Sequence, residues 1–154
     1  MSGSIDRTEN SKSWAWSILQ VAEHLHITGT LYMPKLESAL EALPKAVVDY
    51  KQGFVIKRFI RFASPENKLK LKAPKLFKPV DQENPAASII DKLIQQQKKL
   101  TKLMNQAMGL NLNHGKFPSP ITTLLKFTPG QAFLLLVRHQ QRHCLQIERL
   151  LPAE

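Results

Sequence analysis

His139 and His143, near the end of the chain, are four residues apart. On an α-helix this spacing places both imidazoles on one face, one turn apart, where they can share a metal ion. Neutral imidazole suits zinc and other first-row divalent metals. Because a pair with this spacing is common on helices that bind nothing, the metal interpretation depends on which way the helix faces and on a third ligand.

The last helix, predicted from Thr128 to about Leu151, carries this pair. It begins with Thr128-Pro129-Gly130-Gln131, a capping box with proline in the first turn. On a helical wheel, His143 falls within the apolar sector and His139 at its edge, so the pair is predicted to face the core. The apolar sector also contains Ala132, Phe133, Leu136, Val137, Cys144, Ile147, Leu150 and Leu151. The opposite face, expected in water, contains Arg138, Arg142 and Arg149.

A long first helix is predicted after Ser17, which forms a capping box with Gln20. Apolar residues at steps of three and four continue this helix to about Leu43. Pro34 removes one backbone hydrogen bond, so we expect a kink or a local break there. Pro44 ends the element.

Three further histidines are candidates for the third ligand. His24 and His26 flank the apolar stripe of the first helix on opposite sides. The helical wheel does not choose between them, and both stay open at this point. His114 lies in a connection and is the weaker candidate.

The middle of the chain contains one more long helix between two connections. Residues 45–62 are apolar and basic together and predict a shorter helix, whereas 63–84 contain three prolines and predict a loop, with a weak strand signal over 68–72. Asn84-Pro85 opens the third long helix, which ends at Gly109. Its predicted buried stripe is Ala86, Ile90, Leu93, Ile94, Gln97, Leu100, Met104 and Met108. Three amphipathic helices without a convincing sheet predict an all-α bundle.

The composition fits one ordinary domain: 154 residues, of which 43% are hydrophobic. Residues 1–13 form a polar tail that is predicted to be disordered and is not a secretory signal. No apolar run approaches a membrane span, so we expect a soluble, cytoplasmic protein without membrane insertion. The single cysteine, Cys144, excludes a disulfide framework; it is expected to be a small buried residue, not a ligand or nucleophile.

The net charge of +10 is concentrated between Lys45 and Lys78, where ten basic residues face two acidic ones. We favour a solvated basic connection. The alternative is a positive surface that attracts an anionic substrate, nucleic acid or anionic lipid. Nucleic acid is not the expected partner, because the basic residues form no helical stripe with interleaved aromatic residues.

Two segments of the chain resemble the DinB-like helical-bundle proteins, also described as the bacillithiol-transferase-like group. Residues 16–25, WSILQVAEHL, are similar to the WS-x-x-x-V-x-x-HL opening of that family's second helix. Residues 137–147, VRHQQRHCLQI, are similar to H-x-x-x-H-x-x-Q-I of its last helix. A crossover ending in AP-x-x-x-x-P, from Ala73 to Pro79, also fits. The resemblance covers roughly residues 14–151 and implies a DinB-like four-helix-bundle domain with a long crossover.

The resemblance implies one divalent metal ion (zinc, nickel, iron or manganese) bound by His24, His139 and His143, with an open position facing a pocket. His26 is then left without a ligand role, and Gln146 is expected to pack rather than to orient a ligand. The implied activity is a metal-dependent thiol S-transferase or hydrolase. Its partners would be a small electrophile and a low-molecular-weight thiol. No catalytic residue beyond the metal site is apparent.

One departure from the family concerns the first helix, because only 15 residues precede Trp16. The bundle is therefore expected to lack one wall, with its first helix shortened or missing. Residues 45–62 or a second subunit would fill the gap, and we expect a homodimer. The alternative function is a non-catalytic bundle that uses its exposed apolar face for dimerisation or partner binding.

Overall fold

The computed structural model describes residues 16–69, 72–80 and 87–151, so the predicted tail of residues 1–13 lies outside the described residues. In chain order the elements are α1 (Ile18–Glu41), α2 (Phe54–Ala63), a short 3-10 helix (Lys75–Phe77), α3 (Ile89–Gln106), β1 (Phe117–Pro118), β2 (Lys126–Phe127) and α4 (Pro129–Glu148). The described part is therefore mostly helical, as predicted. It adds one feature that the sequence analysis missed, a small antiparallel hairpin that pairs Phe117 with Phe127.

Both predicted capping boxes are present. Ser17 Oγ accepts from the Gln20 amide and Gln20 Oε1 accepts from the Ser17 amide, at 3.2 and 2.8 Å. The same exchange joins Thr128 and Gln131 at the start of α4. These local signals succeed because each box satisfies two amides that the first turn of a helix leaves unpaired.

α1 passes through Pro34 without a break, so the predicted local break is wrong. Tyr32, Met33 and Leu36 are buried on either side of the proline, and their packing outweighs one missing backbone hydrogen bond. The helix ends at Glu41, slightly before the predicted end at Leu43.

The predicted buried stripe of α3 is confirmed in part, because Leu100 is buried and Leu93 and Gln97 are half-buried. Its predicted start at Asn84-Pro85 lies outside the described residues, and the observed helix begins at Ile89. The buried residues are Ile89, Leu100 and Leu103, with Ala107 just after the helix. The predicted core residues Ile90, Ile94, Met104 and Met108 are 37%, 47%, 42% and 75% exposed.

Two apolar stripes, offset by one residue, run along α3. The stripe that contains Ile89, Leu100 and Leu103 is buried because α3 packs against α1, and the other stripe is exposed. Gln96, on the buried side, donates to the His26 carbonyl of α1 at 3.0 Å. A Cβ at Gly29 would overlap the amide end of the Gln96 side chain, so a larger residue there would displace this side chain.

Residues 45–53 are extended, so the helix predicted over 45–62 is confirmed only from Phe54 onward. The extended stretch is tied to the connection after α3: the Ala46 amide donates to the Gly109 carbonyl, and the Asn111 amide donates to the Pro44 carbonyl. α2 then packs against α4.

The crossover between α2 and α3 is held by Arg142 of α4. Its guanidinium donates to the carbonyl oxygens of Phe62, Ser64, Asn67 and Leu69 at 2.6 to 3.3 Å. The prediction that Arg142 lies in water is therefore wrong, because a helical wheel carries no information about a distant connection. The described residues of 68–72 form no strand. In the described part of the chain, no helix is both long and apolar enough to cross a membrane.

Candidate metal centre

α1 and α4 pack together and bring His24 against His139 and His143. His24 and His143 are 4% and 8% exposed, and His139 is half-buried. Nε2 of His139 lies 3.1 Å from Nε2 of His24 and 3.2 Å from Nε2 of His143. One ligand atom from each ring lies within 4.8 Å of the others. The structure thus brings together the three histidines that the resemblance assigned to a metal ion.

Two of the three rings have a tautomer fixed by a carbonyl oxygen behind them. His24 Nδ1–H donates to the Phe77 carbonyl at 2.7 Å, and His143 Nδ1–H donates to Gln146 Oε1 at 2.8 Å. A carbonyl oxygen only accepts, so the ring proton lies on Nδ1 in both histidines. In the neutral rings Nε2 then presents a lone pair, and both lone pairs point toward His139.

Nε2 of His139 lies between the other two rings, whereas its buried Nδ1 has no hydrogen-bond partner among the described residues. His139 therefore lacks the carbonyl acceptor that orients His24 and His143. Tetrahedral coordination with zinc–nitrogen distances near 2.0 Å places ligand nitrogens about 3.3 Å apart. The two separations that involve His139, 3.1 and 3.2 Å, are close to that value, and all three ligand atoms lie within 4.8 Å of one another. The donor set and its spacing are compatible with a divalent transition-metal ion.

Burial keeps the three imidazoles neutral. Desolvation lowers the pKa of His24, and it lowers the pKa of His143 to about 4 with a further contribution from the nearby His24. The pKa of His139 is held well below its usual value by desolvation, then by the neighbouring His143 and His24 and by Arg142. Neutral imidazole is the form that binds metal, so the site requires no proton release from these rings near neutral pH.

The crossover provides one wall of the centre. The 3-10 helix places the buried Phe77 next to α1, so that its carbonyl reaches His24 and its ring lies 6.5 Å from the His24 ring, centroid to centroid. The ring of Trp16 packs on His24 at a centroid distance of 4.9 Å. The AP-x-x-x-x-P segment was part of the resemblance, but nothing in it indicated that the Phe77 carbonyl supports a ligand.

The other candidates do not join this group. His26 lies on the α3 side of α1, and His114 is exposed in the connection after α3. Cys144 is exposed, so the expectation that it is buried is wrong. Gln146, expected only to pack, instead holds His143 in place.

Two surface depressions, of about 530 and 310 Å³, lie elsewhere on the molecule. The larger is lined by residues from the extended stretch and from the connection after α3, among them Val48 and Asn113. The smaller lies between α1 and α3, at Glu37 and Lys99. Neither is lined by a histidine of the centre, so neither marks a substrate site for it.

Comparison of the chain with models of known families, with curated proteins and with solved structures finds no match. Membership of the DinB-like family therefore stays a prediction that depends on the motifs quoted above. The convergence of the three histidines is observed in the structure and does not depend on that resemblance.

Proposed function

We propose that the chain binds one divalent transition-metal ion (zinc, nickel, iron or manganese) through Nε2 of His24, His139 and His143, and that it is a metal-dependent enzyme. The observation that carries this proposal is the convergence of three neutral imidazoles, two of them with the lone pair of Nε2 directed by a carbonyl acceptor on Nδ1. A histidine that binds a metal through one ring nitrogen typically donates the N–H of its other nitrogen to a carbonyl or carboxylate oxygen, which fixes the orientation of the ring.

The number of ligands favours a catalytic over a structural role. Among residues 16–69, 72–80 and 87–151, the candidate group contains three side chains and no fourth cysteine, histidine or carboxylate. Structural zinc sites have four protein ligands, whereas catalytic sites have three and leave a position for water or substrate.

The proposed reaction is the transfer of a low-molecular-weight thiol to a small electrophile, or the hydrolysis of such an electrophile, as the resemblance implies. When bound, the ion supplies Lewis acidity, which lowers the pKa of a thiol or of water toward neutrality. The chain's own contribution is to hold the three rings neutral and in a fixed orientation. Trp16 and Phe77 shield His24 from solvent on one side.

Elemental analysis of the purified protein tests the metal site. We expect about one equivalent of a divalent transition metal in the wild type and none in His139→Ala/His143→Ala. The matched control is His26→Ala/His114→Ala, which also removes two imidazoles and should keep the metal. Wild-type protein that binds no metal after reconstitution would refute the proposal.

Turnover is tested separately, with the metal-loaded protein, a low-molecular-weight thiol and a chromogenic aryl halide or ester. We expect product formation that disappears in the metal-free protein and in His139→Ala. A protein that holds its metal but turns over neither class of substrate would contradict the enzymatic part of the proposal and leave the metal site standing.

A second candidate function is homodimerisation through α3. Three apolar residues of α3, Ile90, Ile94 and Met104, are exposed and lie within about 40° of one line along the helix, and the exposed Met108 follows its last turn. A stripe of this length, one residue away from the buried one, is typical of a helix that packs on both sides. Sedimentation analysis should show a dimer that Ile94→Glu/Met104→Glu dissociates, whereas Val47→Glu, at a position 92% exposed, leaves it intact.

A further inference from the structure

The exposed face of α2 combines aromatic and basic side chains. Ile56 and Ile60 are buried on the opposite side. Phe54, Arg58 and Phe62 follow one another at four-residue intervals, with Lys57 and Arg61 along the next ridge and Val55 beside them. Phe54, Val55 and Phe62 are 82%, 68% and 49% exposed, and the three basic residues are exposed as well. We refer to these six residues as the α2 surface; α2 contains no acidic residue.

The backbone around the α2 surface is held in place, so its apolar side chains are not exposed by fraying. Before the helix, the Lys51 amide donates to Asn113 Oδ1 and Gln131 Nε2 donates to the Gln52 carbonyl. After the last turn, Arg142 holds the Phe62 carbonyl. The extended stretch that leads into α2 adds Val47, which is 92% exposed. Large apolar groups on a fixed, solvent-facing backbone mark an interaction surface.

We infer that the α2 surface binds the face of an anionic lipid bilayer, with the helix axis in the membrane plane. The phenylalanines and Val55 would enter the boundary between headgroups and acyl chains, while the lysine and arginines would contact lipid phosphates. Because the other face of α2 packs on the bundle, the protein docks without inserting a segment across the membrane. The inference is independent of the metal centre.

Charge and side-chain chemistry favour lipid over two other occupants. A second copy that packed α2 against α2 would place basic residues against basic residues, with no acid on the helix to compensate. Single-stranded nucleic acid would match the charge, and Phe54 and Phe62 offer rings on which bases can stack, so the expectation that basic and aromatic residues share no helical stripe is wrong for α2. Stacking leaves the exposed aliphatic side chains of Val47 and Val55 uncovered, whereas hydrocarbon covers them together with the rings. An anionic bilayer matches both the basic and the apolar side chains of the α2 surface, because it presents phosphates above hydrocarbon.

Vesicle co-sedimentation at low salt tests the inference. The wild-type protein should bind vesicles of equal parts phosphatidylglycerol and phosphatidylcholine, bind phosphatidylcholine alone weakly, and lose binding as salt is added. Lys57→Gln/Arg61→Gln should lose about 30-fold in partitioning, and Phe54→Ser/Phe62→Ser at least about tenfold. All four positions are exposed or nearly so, and circular dichroism will verify that both variants fold.

Matched controls come from outside the α2 surface and outside the proposed dimer stripe. Lys98→Gln/Lys102→Gln on α3 removes two charges at the same spacing, and Ile121→Ser/Leu124→Ser, in the connection between β1 and β2, removes two apolar side chains that are 44% and 94% exposed. Both variants should partition onto anionic vesicles within about twofold of the wild-type protein. The inference is overturned if the wild type does not sediment with anionic vesicles or if the controls lose as much as the α2 variants. It is also overturned if single-stranded RNA binds in place of vesicles, or if Phe54→Ser/Phe62→Ser acts only by dissociating a dimer.

Discussion

His24 and His26 are two residues apart on α1 and lie in opposite environments. His24 has a carbonyl acceptor behind its ring and two imidazoles in front of it. His26 faces α3, and its pKa is lowered overall, mainly by desolvation and by the charge of Lys92, with a smaller opposing contribution from Glu23. Its buried Nδ1 has no hydrogen-bond partner among the described residues. Both rings have a buried nitrogen, so burial alone does not distinguish a ligand. The difference is that the acceptor on Nδ1 of His24 fixes the direction of its ring, so that Nε2 faces two other imidazoles.

The largest expected effect comes from removing one histidine or the other. His24→Ala should weaken metal binding on the order of a thousandfold, because it deletes one of only three ligands. His26→Ala should leave the affinity unchanged. Competition with a chromogenic chelator measures both, and similar losses in the two variants would contradict the assigned ligand set.

Acid should destabilise the metal-free protein through the centre. The pKa of His143 is lowered to about 4, so between about pH 6.5 and 4 the unfolded chain binds a proton that the native chain does not. Above pH 6.5, His143 therefore makes the free energy of unfolding neither rise nor fall with pH. As the pH drops from about 6.5 to 4, its contribution lowers the free energy of unfolding. The expected loss from His143 is about 3 kcal/mol.

Denaturant unfolding across that pH range, in the presence of a chelator, measures this loss. His139→Gln/His143→Gln removes the two rings and should flatten the profile relative to the wild type, leaving the contributions of His24 and His26, whose pKa values are also lowered. Parallel profiles for the two proteins would show that the two rings titrate in the native chain as they do in the unfolded chain.

A smaller effect is expected from the group that orients His143. Gln146→Leu removes the acceptor that holds His143 Nδ1–H and should weaken metal binding about 10- to 100-fold. Gln146→Glu keeps an acceptor and should retain most of the affinity. The control is Gln141→Leu, which makes the same change of side chain at an exposed position on the other side of α4. Equal effects of Gln146→Leu and Gln141→Leu on metal affinity would show that Gln146 contributes only packing.

The smallest effect concerns the crossover that supplies Phe77. Arg142→Gln should lower the free energy of unfolding by about 1–2 kcal/mol, because it leaves carbonyl oxygens of that connection without their donor. Arg138→Gln removes the partly exposed ion pair with Glu66 and the hydrogen bond to Gln141 Oε1, and it should cost less than about 1 kcal/mol. Thermal denaturation of both variants, with and without metal, makes the comparison.

Local signals were the part of this fold that could be predicted. The capping boxes at Ser17 and Thr128 and the inward direction of His143 depend on residues within one or two turns. The predicted buried stripe of α3 was only partly correct, because a second apolar stripe runs one residue away from it and only contact with α1 shows which of the two is buried.

The support of the centre could not be predicted, because it depends on distant residues. The Phe77 carbonyl that fixes the His24 tautomer is 53 residues from it in sequence, and the carbonyls held by Arg142 are more than 70 residues away. No local periodicity encodes such pairs. The choice of His24 over His26 likewise came from the family resemblance and not from the wheel.

The separation of the histidines along the chain has a consequence for unfolding. His24 and His139 are 115 residues apart, so an ion held by both would close a loop that spans most of the chain. Like a disulfide across the same distance, such a cross-link restricts the denatured ensemble, by up to about 4–5 kcal/mol in the chain-entropy model. Detachment of either terminal helix would then require release of the ion first. Resistance of the folded chain to proteases would therefore depend on metal supply as well as on packing.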